Sequence, residues 1–202
     1  MITAPAAQRL SPFTSQAVFR VLLASLAQPG RVFQLPEAIM RPRTGLEADQ
    51  AVGPGIVPLA LAVIGSKIAV PRAPDWAARI CQATGASDAD VPEASLVALY
   101  APIDATAISE LRRGSATAPE EGAKVGLACD TLIAGGPGDV TLELSGPGMP
   151  GRTRLGVDGV SRDVFDALRA VNGAFPAGID TWLVDKRGQV AGLPRSTRQA
   201  VV

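Results

Sequence analysis

Histidine is missing from this 202-residue chain. Its absence excludes a Ser-His-Asp triad, a Cys-His pair and every imidazole metal ligand. Cysteine is nearly missing as well. Cys81 and Cys129 are too few and too far apart to suggest a zinc site, and they read as unbridged apolar fillers in a reducing cytosol. Lysine stands only at positions 67, 124 and 186, so arginine supplies nearly all the positive charge. Neither sign of charge is in excess, with 19 Lys plus Arg against 19 Asp plus Glu, and no global field draws the chain onto nucleic acid or an anionic membrane. A long apolar run is also lacking. The longest, around Ile56 to Ile64, falls well short of the ~20 residues needed to span a bilayer, and no apolar signal core follows a basic start. The chain is therefore expected to be cytoplasmic, with no nucleic-acid or membrane partner.

Hydrophobic residues make up 47% of the chain, enough for a sizeable core. Residues 1–10 read as a loose lead-in and 11–202 as a single domain. A helix is expected from Ser11-Pro12 or Thr14, with Phe19, Leu22, Leu23 and Leu26 as one buried stripe and Pro29-Gly30 as its stop. Arg31 to Leu35 reads as a strand and 36–55 as a surface loop. The run to Ile64 suits a helix entered at Pro58, with a buried strand as the competing reading. Lys67–Val70 and Ser95–Tyr100 read as strands. Asp75 is expected to cap a helix ended by Gly85, and Asp104 one ended by Gly114. Val125–Ile133 and Val140–Leu144 read as two strands across a Gly-Pro-Gly turn, and Arg152–Val157 as another. Ser161 opens a helix with Val164, Phe165, Leu168 and Val171 on one face. A hairpin of Ile179, Trp182 and Val184 against Val190 and Leu193 turns at Asp185–Gly188 and ends the fold. This alternation of helices and strands predicts an α/β domain, one mixed sheet with helices packed on it.

Reactive constellations are scarce. Gly135–Gly138 and Gly146–Gly148 lack the Lys-Ser/Thr of a P-loop and the dinucleotide-binding spacing, and read as turns. Glu120 and Glu121 are adjacent, so on an extended chain they point to opposite faces and make a poor acid/base pair. Asp158, Asp163 and Asp166 lack metal-loop spacing. No catalytic residue and no metal site can be named. Arg195, Ser196, Thr197 and Arg198 are the best candidates for an anion or interface contact, because two guanidinium groups beside two hydroxyls suit phosphate or carboxylate. The competing reading is an exposed polar tail. Placed after the final strand, they are expected to contribute little to the core.

Four segments in series resemble the PhnH subunit of the carbon–phosphorus lyase complex. They are Phe19-Arg20 with Leu22-Leu23 through Ala27-Gln28-Pro29-Gly30-Arg31; Gly114 to Ala123; Leu144-Ser145-Gly146-Pro147-Gly148; and the Phe175-Pro176 to Ile179-Asp180 and Leu193 to Arg198 tail. The Pro-Gly-Arg turn adds Arg31 to the candidate contacts. Ile64 to Val70 departs from the family's pattern, lacking its acidic residue and its aromatic. The resemblance implies a fold like that of pyridoxal-phosphate-dependent transferases without the cofactor, and no lysine stands in an evident Schiff-base setting. It implies partners of the G, I and J types and a homodimer when isolated. It also implies support for forming ribose 1-phosphonate 5-triphosphate from ATP and a phosphonate, catalysis being credited to the I subunit. The alternative is a free-standing cytosolic enzyme acting on a small phosphorylated metabolite.

Overall fold

The computed structural model describes residues 10–40 and 53–202. Its first helix, α1 (Pro12–Ala27), is capped by Ser11, whose side chain accepts from the Thr14 N–H at 3.1 Å. The chain continues through β1 (Phe33–Gln34), α2 (Glu37–Met40), α3 (Ile56–Leu61), β2 (Lys67–Ala69), α4 (Pro74–Thr84), β3 (Ser87–Asp88), β4 (Leu96–Leu99) and α5 (Ala105–Ser109). After a 3-10 turn (Pro119–Glu121) come β5 (Lys124–Ala128), β6 (Thr131–Ala134), β7 (Val140–Ser145), β8 (Arg152–Asp158), α6 (Arg162–Val171), β9 (Asp180–Val184), β10 (Gln189–Leu193) and β11 (Arg198–Val201).

The α/β class is as expected, but the strands form two sheets rather than one. A seven-stranded mixed sheet runs β1-β10-β9-β5-β4-β2-β3, and a four-stranded sheet runs β11-β7-β8-β6. In the first, β9, β5, β4, β2 and β3 are parallel neighbours, while β10 and β1 are antiparallel additions. The second is antiparallel throughout. The expected strand Val125–Ile133 is broken at Cys129-Asp130, where the chain leaves one sheet and enters the other. The Gly-Pro-Gly loop then connects β6 to β7 without pairing them, because both flank β8.

Burial follows from the alternation of side chains along each strand. In β7, Val140, Leu142 and Leu144 are buried, while the residues between them are half-exposed. These residues join Leu155 and Val157 of β8, Val125 and Leu127 of β5, and Leu183 of β9 in the main core. The α6 face of Val164, Phe165, Leu168 and Val171 packs into the same core as expected. On the opposite face of the mixed sheet, α1 and α3 cover Trp182, Val184 and Val190. Further along that sheet, α4 covers β2 and β4 with Trp76 and Ile80. Cys129 is buried and Cys81 partly so, and both are free thiols. Burial, reinforced by the carboxylates of Asp185, Asp130 and Asp158, pushes the Cys129 thiol far above its usual range.

The largest correction concerns α1. Phe19 and Leu23 are exposed, and the buried positions are Val18, Leu22 and Ser25. The helix is apolar around most of its circumference, so periodicity alone does not select the face. Close approach selects it instead. A Cβ on Gly192 of β10 would stand 2.5 Å from the Ser25 carbonyl carbon, so helix and strand meet backbone to backbone. The small Ser25 fits this contact and donates its hydroxyl to Leu22 O at 2.7 Å. The indole N–H of Trp182 donates to the same carbonyl at 2.9 Å.

Smaller corrections concern element ends. The strand expected over Arg31–Leu35 narrows to β1, and Glu37–Met40 within the expected loop is helical. Residues 41–52 of that loop and residues 1–9 of the lead-in lie outside the described residues. The helix reading of the run to Ile64 holds over the strand reading, but the helix begins at Ile56, before Pro58, and ends at Leu61. Asp75 is not the cap of α4: Pro74 opens the helix and Asp75 sits in its first turn, where its charge suits the helix dipole. Gly85 closes α4 at φ +77, a backbone state that favours glycine. Asp104 caps α5 as expected, accepting from the Thr106 N–H at 2.9 Å, but the helix stops at Ser109. The hairpin β9–β10 does not end the fold, because β11 follows and pairs with β7.

Candidate functional site

A cleft of about 850 Å³ opens between α6, the β7–β8 loop and the crossing from β10 to β11. Four of the five residues singled out from sequence line it: Arg195, Ser196, Thr197 and Arg198. Arg31 does not. It lies on the surface beside Gln28, whose side-chain oxygen it contacts, with its guanidinium 5.6 Å from the Phe33 ring centre.

The two candidate arginines differ in kind. Arg195 is largely buried, and its guanidinium is held by Asp180, with Nη2 donating to Oδ2 at 2.7 Å and Nε to Oδ1 at 3.2 Å. Its backbone N–H also donates to Asp180 Oδ1 at 3.0 Å, and its other terminal nitrogen donates to the Pro119 carbonyl. Arg195 therefore fastens the 3-10 turn and the start of β9 to the β10–β11 crossing. Arg198, the first residue of β11, is exposed. It makes no ion pair among the described residues. Thr197 is 8% exposed, and its hydroxyl has no hydrogen-bond partner among the described residues.

Sequence reasoning missed Arg169 and Asn172 on the opposite wall and Phe175 at the rim. Arg169 pairs with Asp166 at 2.9 Å, a carboxylate that also has Arg162 at 3.8 Å. Asn172 accepts the Ile179 N–H at 2.8 Å and so fixes the loop that carries Phe175. Arg169 falls in the last turn of a helix, where a cation is normally read as complementing the dipole. Phe175 opens the tail motif, and the Phe-Pro pair was the available signal.

The four family-like segments converge on this region. Ala27 and Pro29 pack against Gly148, with the Pro29 ring 3.2 Å from where a Gly148 Cβ would stand. Gly146 lies against the backbone of Ser196 and Thr197, and Arg195 reaches back to Pro119. Segments separated by more than a hundred residues are thus the facing parts of one assembly of turns.

A second, smaller hollow of about 180 Å³ lies beyond the carboxyl ends of β2 and β4, lined by Arg72, Tyr100 and Asp104 among others. The chain goes from β2 to β3 on one side and returns to β4 on the other, so this is a topological switch point. Asp104 there is occupied as a helix cap, and the Thr106 N–H holds its carboxyl below the usual range. Burial raises the Tyr100 phenol far above its usual range. No group of three or more His, Cys, Asp and Glu among the described residues could hold a metal ion. No helix among them is long and apolar enough to cross a membrane.

None of the curated proteins compared with the chain matches it. The family model described as bacterial phosphonate metabolism protein (PhnH) matches residues 8–200, nearly the whole chain. All four converging segments fall within that match, and the chain belongs to the PhnH family of bacterial phosphonate metabolism.

Proposed function

We propose that the protein is an assembly subunit of a cytoplasmic carbon–phosphorus lyase complex. In this reading it associates with G-, I- and J-type partners and supports the formation of ribose 1-phosphonate 5-triphosphate from ATP and a phosphonate. The observation that carries this reading is the outward face of α1. Phe13 is 85% exposed, Phe19 46% and Leu23 56%, and Arg20 is the sole charge on the helix. Phe19 and Leu23 stand one turn apart on the same side of the helix, and exposed apolar residues so placed mark an interaction site. Isolated, the chain is proposed to form a homodimer or another small oligomer.

The test is co-expression with the three partner subunits and capture on a tagged partner. Wild-type chain should be retained. Leu23→Asp should fold, because the new charge remains in solvent and surface changes usually cost within about 0.5 kcal/mol, yet it should be lost from the capture. Retention of the variant at wild-type levels would remove the α1 face from the assembly.

The size of the cleft favours a second reading, a free-standing enzyme acting on a small phosphorylated metabolite. Adenine release from ATP plus methylphosphonate by the chain without partners would select it.

A scaffold related to pyridoxal-phosphate-dependent transferases, without the cofactor, is part of the proposal. All three lysines have partners. Lys67 pairs with Glu93 at 2.7 Å, and Lys186 with Asp130 at 2.5 Å. Lys124 donates to the carbonyls of Glu120 at 3.0 Å and Gly122 at 3.3 Å. Burial lowers the pKa of Lys124, but its nitrogen is spent on those carbonyls. Purified protein mixed with pyridoxal phosphate should show no saturable aldimine band. A band fixed by borohydride on a single lysine would contradict this.

A further inference from the structure

We propose that the outward face of the four-stranded sheet docks an acidic protein surface of a partner subunit, with Arg152 and Arg154 as its charged anchors. The proposal rests on the assembly reading but uses a face other than that of α1.

Strand register builds the face. Residues directly opposite one another in an antiparallel pair share one side of the sheet. Leu142 and Leu144 of β7 point into the core, so Glu143 and Ser145 point outward. Ser145 lies between Arg198 of β11 and Arg152 of β8, and Glu143 lies between Ala200 and Arg154. The three arginines and Ala200 are exposed. In the next row, Thr141 stands opposite Gly156, and there the β6–β7 loop closes over the sheet. A Cβ on Gly156 would stand 2.8 Å from the Gly136 carbonyl oxygen. The open part of the face is therefore the two rows that carry the arginines.

Charge gives this face its partner. Three arginines surround one carboxylate, and Glu143 is taken by Arg152 at 2.7 Å. Arg154 and Arg198 have no ion pair among the described residues. Like charges gathered on one side of a sheet are destabilising. Yet the chain as a whole is neutral, and other arginines are supplied with carboxylates. Arg112 has Glu121, Arg195 has Asp180, and Arg162 and Arg169 share Asp166. Carboxylates from outside would complete the arrangement. Arginine suits this duty, because its guanidinium is weakly hydrated and is enriched at interfaces.

The pattern also selects the kind of partner. A second copy of the chain would bring this arginine-rich face against its equal. A nucleic acid would run its phosphates past Glu143 in the middle of the face. A small anion calls for a concave site, and neither Arg152 nor Arg154 lines the cleft beside α6. A broad surface with separately placed carboxylates meets the arginines and avoids Glu143.

The test measures the affinity of the purified, labelled chain for the assembled G-, I- and J-type subunits. Arg154→Glu should weaken binding about tenfold or more. Arg154→Gln should weaken it less. Arg187→Glu makes the same change of charge at an exposed position on the β9–β10 turn, away from this face, and should bind as wild type. Wild-type affinity should fall as salt rises from about 50 to about 300 mM, and that fall should be shallower for Arg154→Gln. Arg154 is exposed, so its variants should melt as wild type, and melting is recorded alongside. Wild-type affinity in both folded Arg154 variants would overturn this surface and leave the assembly reading standing. An equal loss in Arg187→Glu would also overturn it, since overall charge would then be the cause. No binding by the wild-type chain would overturn the assembly reading and this surface together. A duplex oligonucleotide bound by the isolated wild type and released by Arg154→Glu would give the face to nucleic acid and overturn the protein partner.

Discussion

Arg195→Ala should destabilise the fold by about 3–5 kcal/mol, the usual cost of removing one partner from a buried ion pair. The loss would be read as a shift in urea midpoint. Asp180 would remain with little exposure and without its guanidinium, and the Pro119 carbonyl would lose its donor. Asp180→Asn should cost less, because an amide oxygen can still accept from the Arg195 backbone N–H. The paired change Arg195→Met with Asp180→Leu should recover part of the loss, since well-packed apolar replacements for a buried pair are often tolerated. If Arg195→Ala unfolds at the wild-type midpoint, the pair does not anchor the β10–β11 crossing.

Trp182→Ala should cost a similar amount, about 3–5 kcal/mol, through the cavity left by a large buried aromatic. Trp182 is 4% exposed and sits between the mixed sheet and α1. Trp182→Phe isolates the polar part. It keeps a buried ring and deletes the donor to Leu22 O, so it should cost about 1 kcal/mol for the hydrogen bond, plus a packing loss smaller than that of the alanine variant. Equal losses for the two variants would mean that the hydrogen bond, not the volume, holds α1 to the sheet.

These residues show what was legible in the sequence. Trp182 belongs to a run with strong strand character around a turn, and both strands of the hairpin formed where expected. The turn is fixed by Asp185, whose Oδ1 accepts from the Arg187 and Gln189 N–H groups at 2.8 Å each. The α6 face and the Asp104 cap were legible for the same reason: their signals are local. The face of α1 was not legible, because Phe19 and Leu23 are as apolar as Leu22. The choice between them was made by Gly192, far away in sequence. The division into two sheets was also hidden. Val125 to Ile133 reads as one strand interrupted only by Asp130, and a single Asp does not by itself announce a change of layer. At the cleft, the hydroxyl-arginine cluster was visible as a cluster, but the separate duties of Arg195 and Arg198 depend on Asp180, which reaches only one of them. Arg169 was missed because its helix position already had a sufficient ordinary explanation.

The contact between α1 and Trp182 spans 160 residues of sequence. During synthesis, α1 emerges long before the strands that cover its inner face. At about 5–20 residues per second, roughly 10–30 s pass before β9 and β10 are made. Throughout that interval the helix is apolar on both sides with its sheet partners still missing. The inner face of α1 thus stays uncovered in the early translation product, and it closes only when β10 arrives.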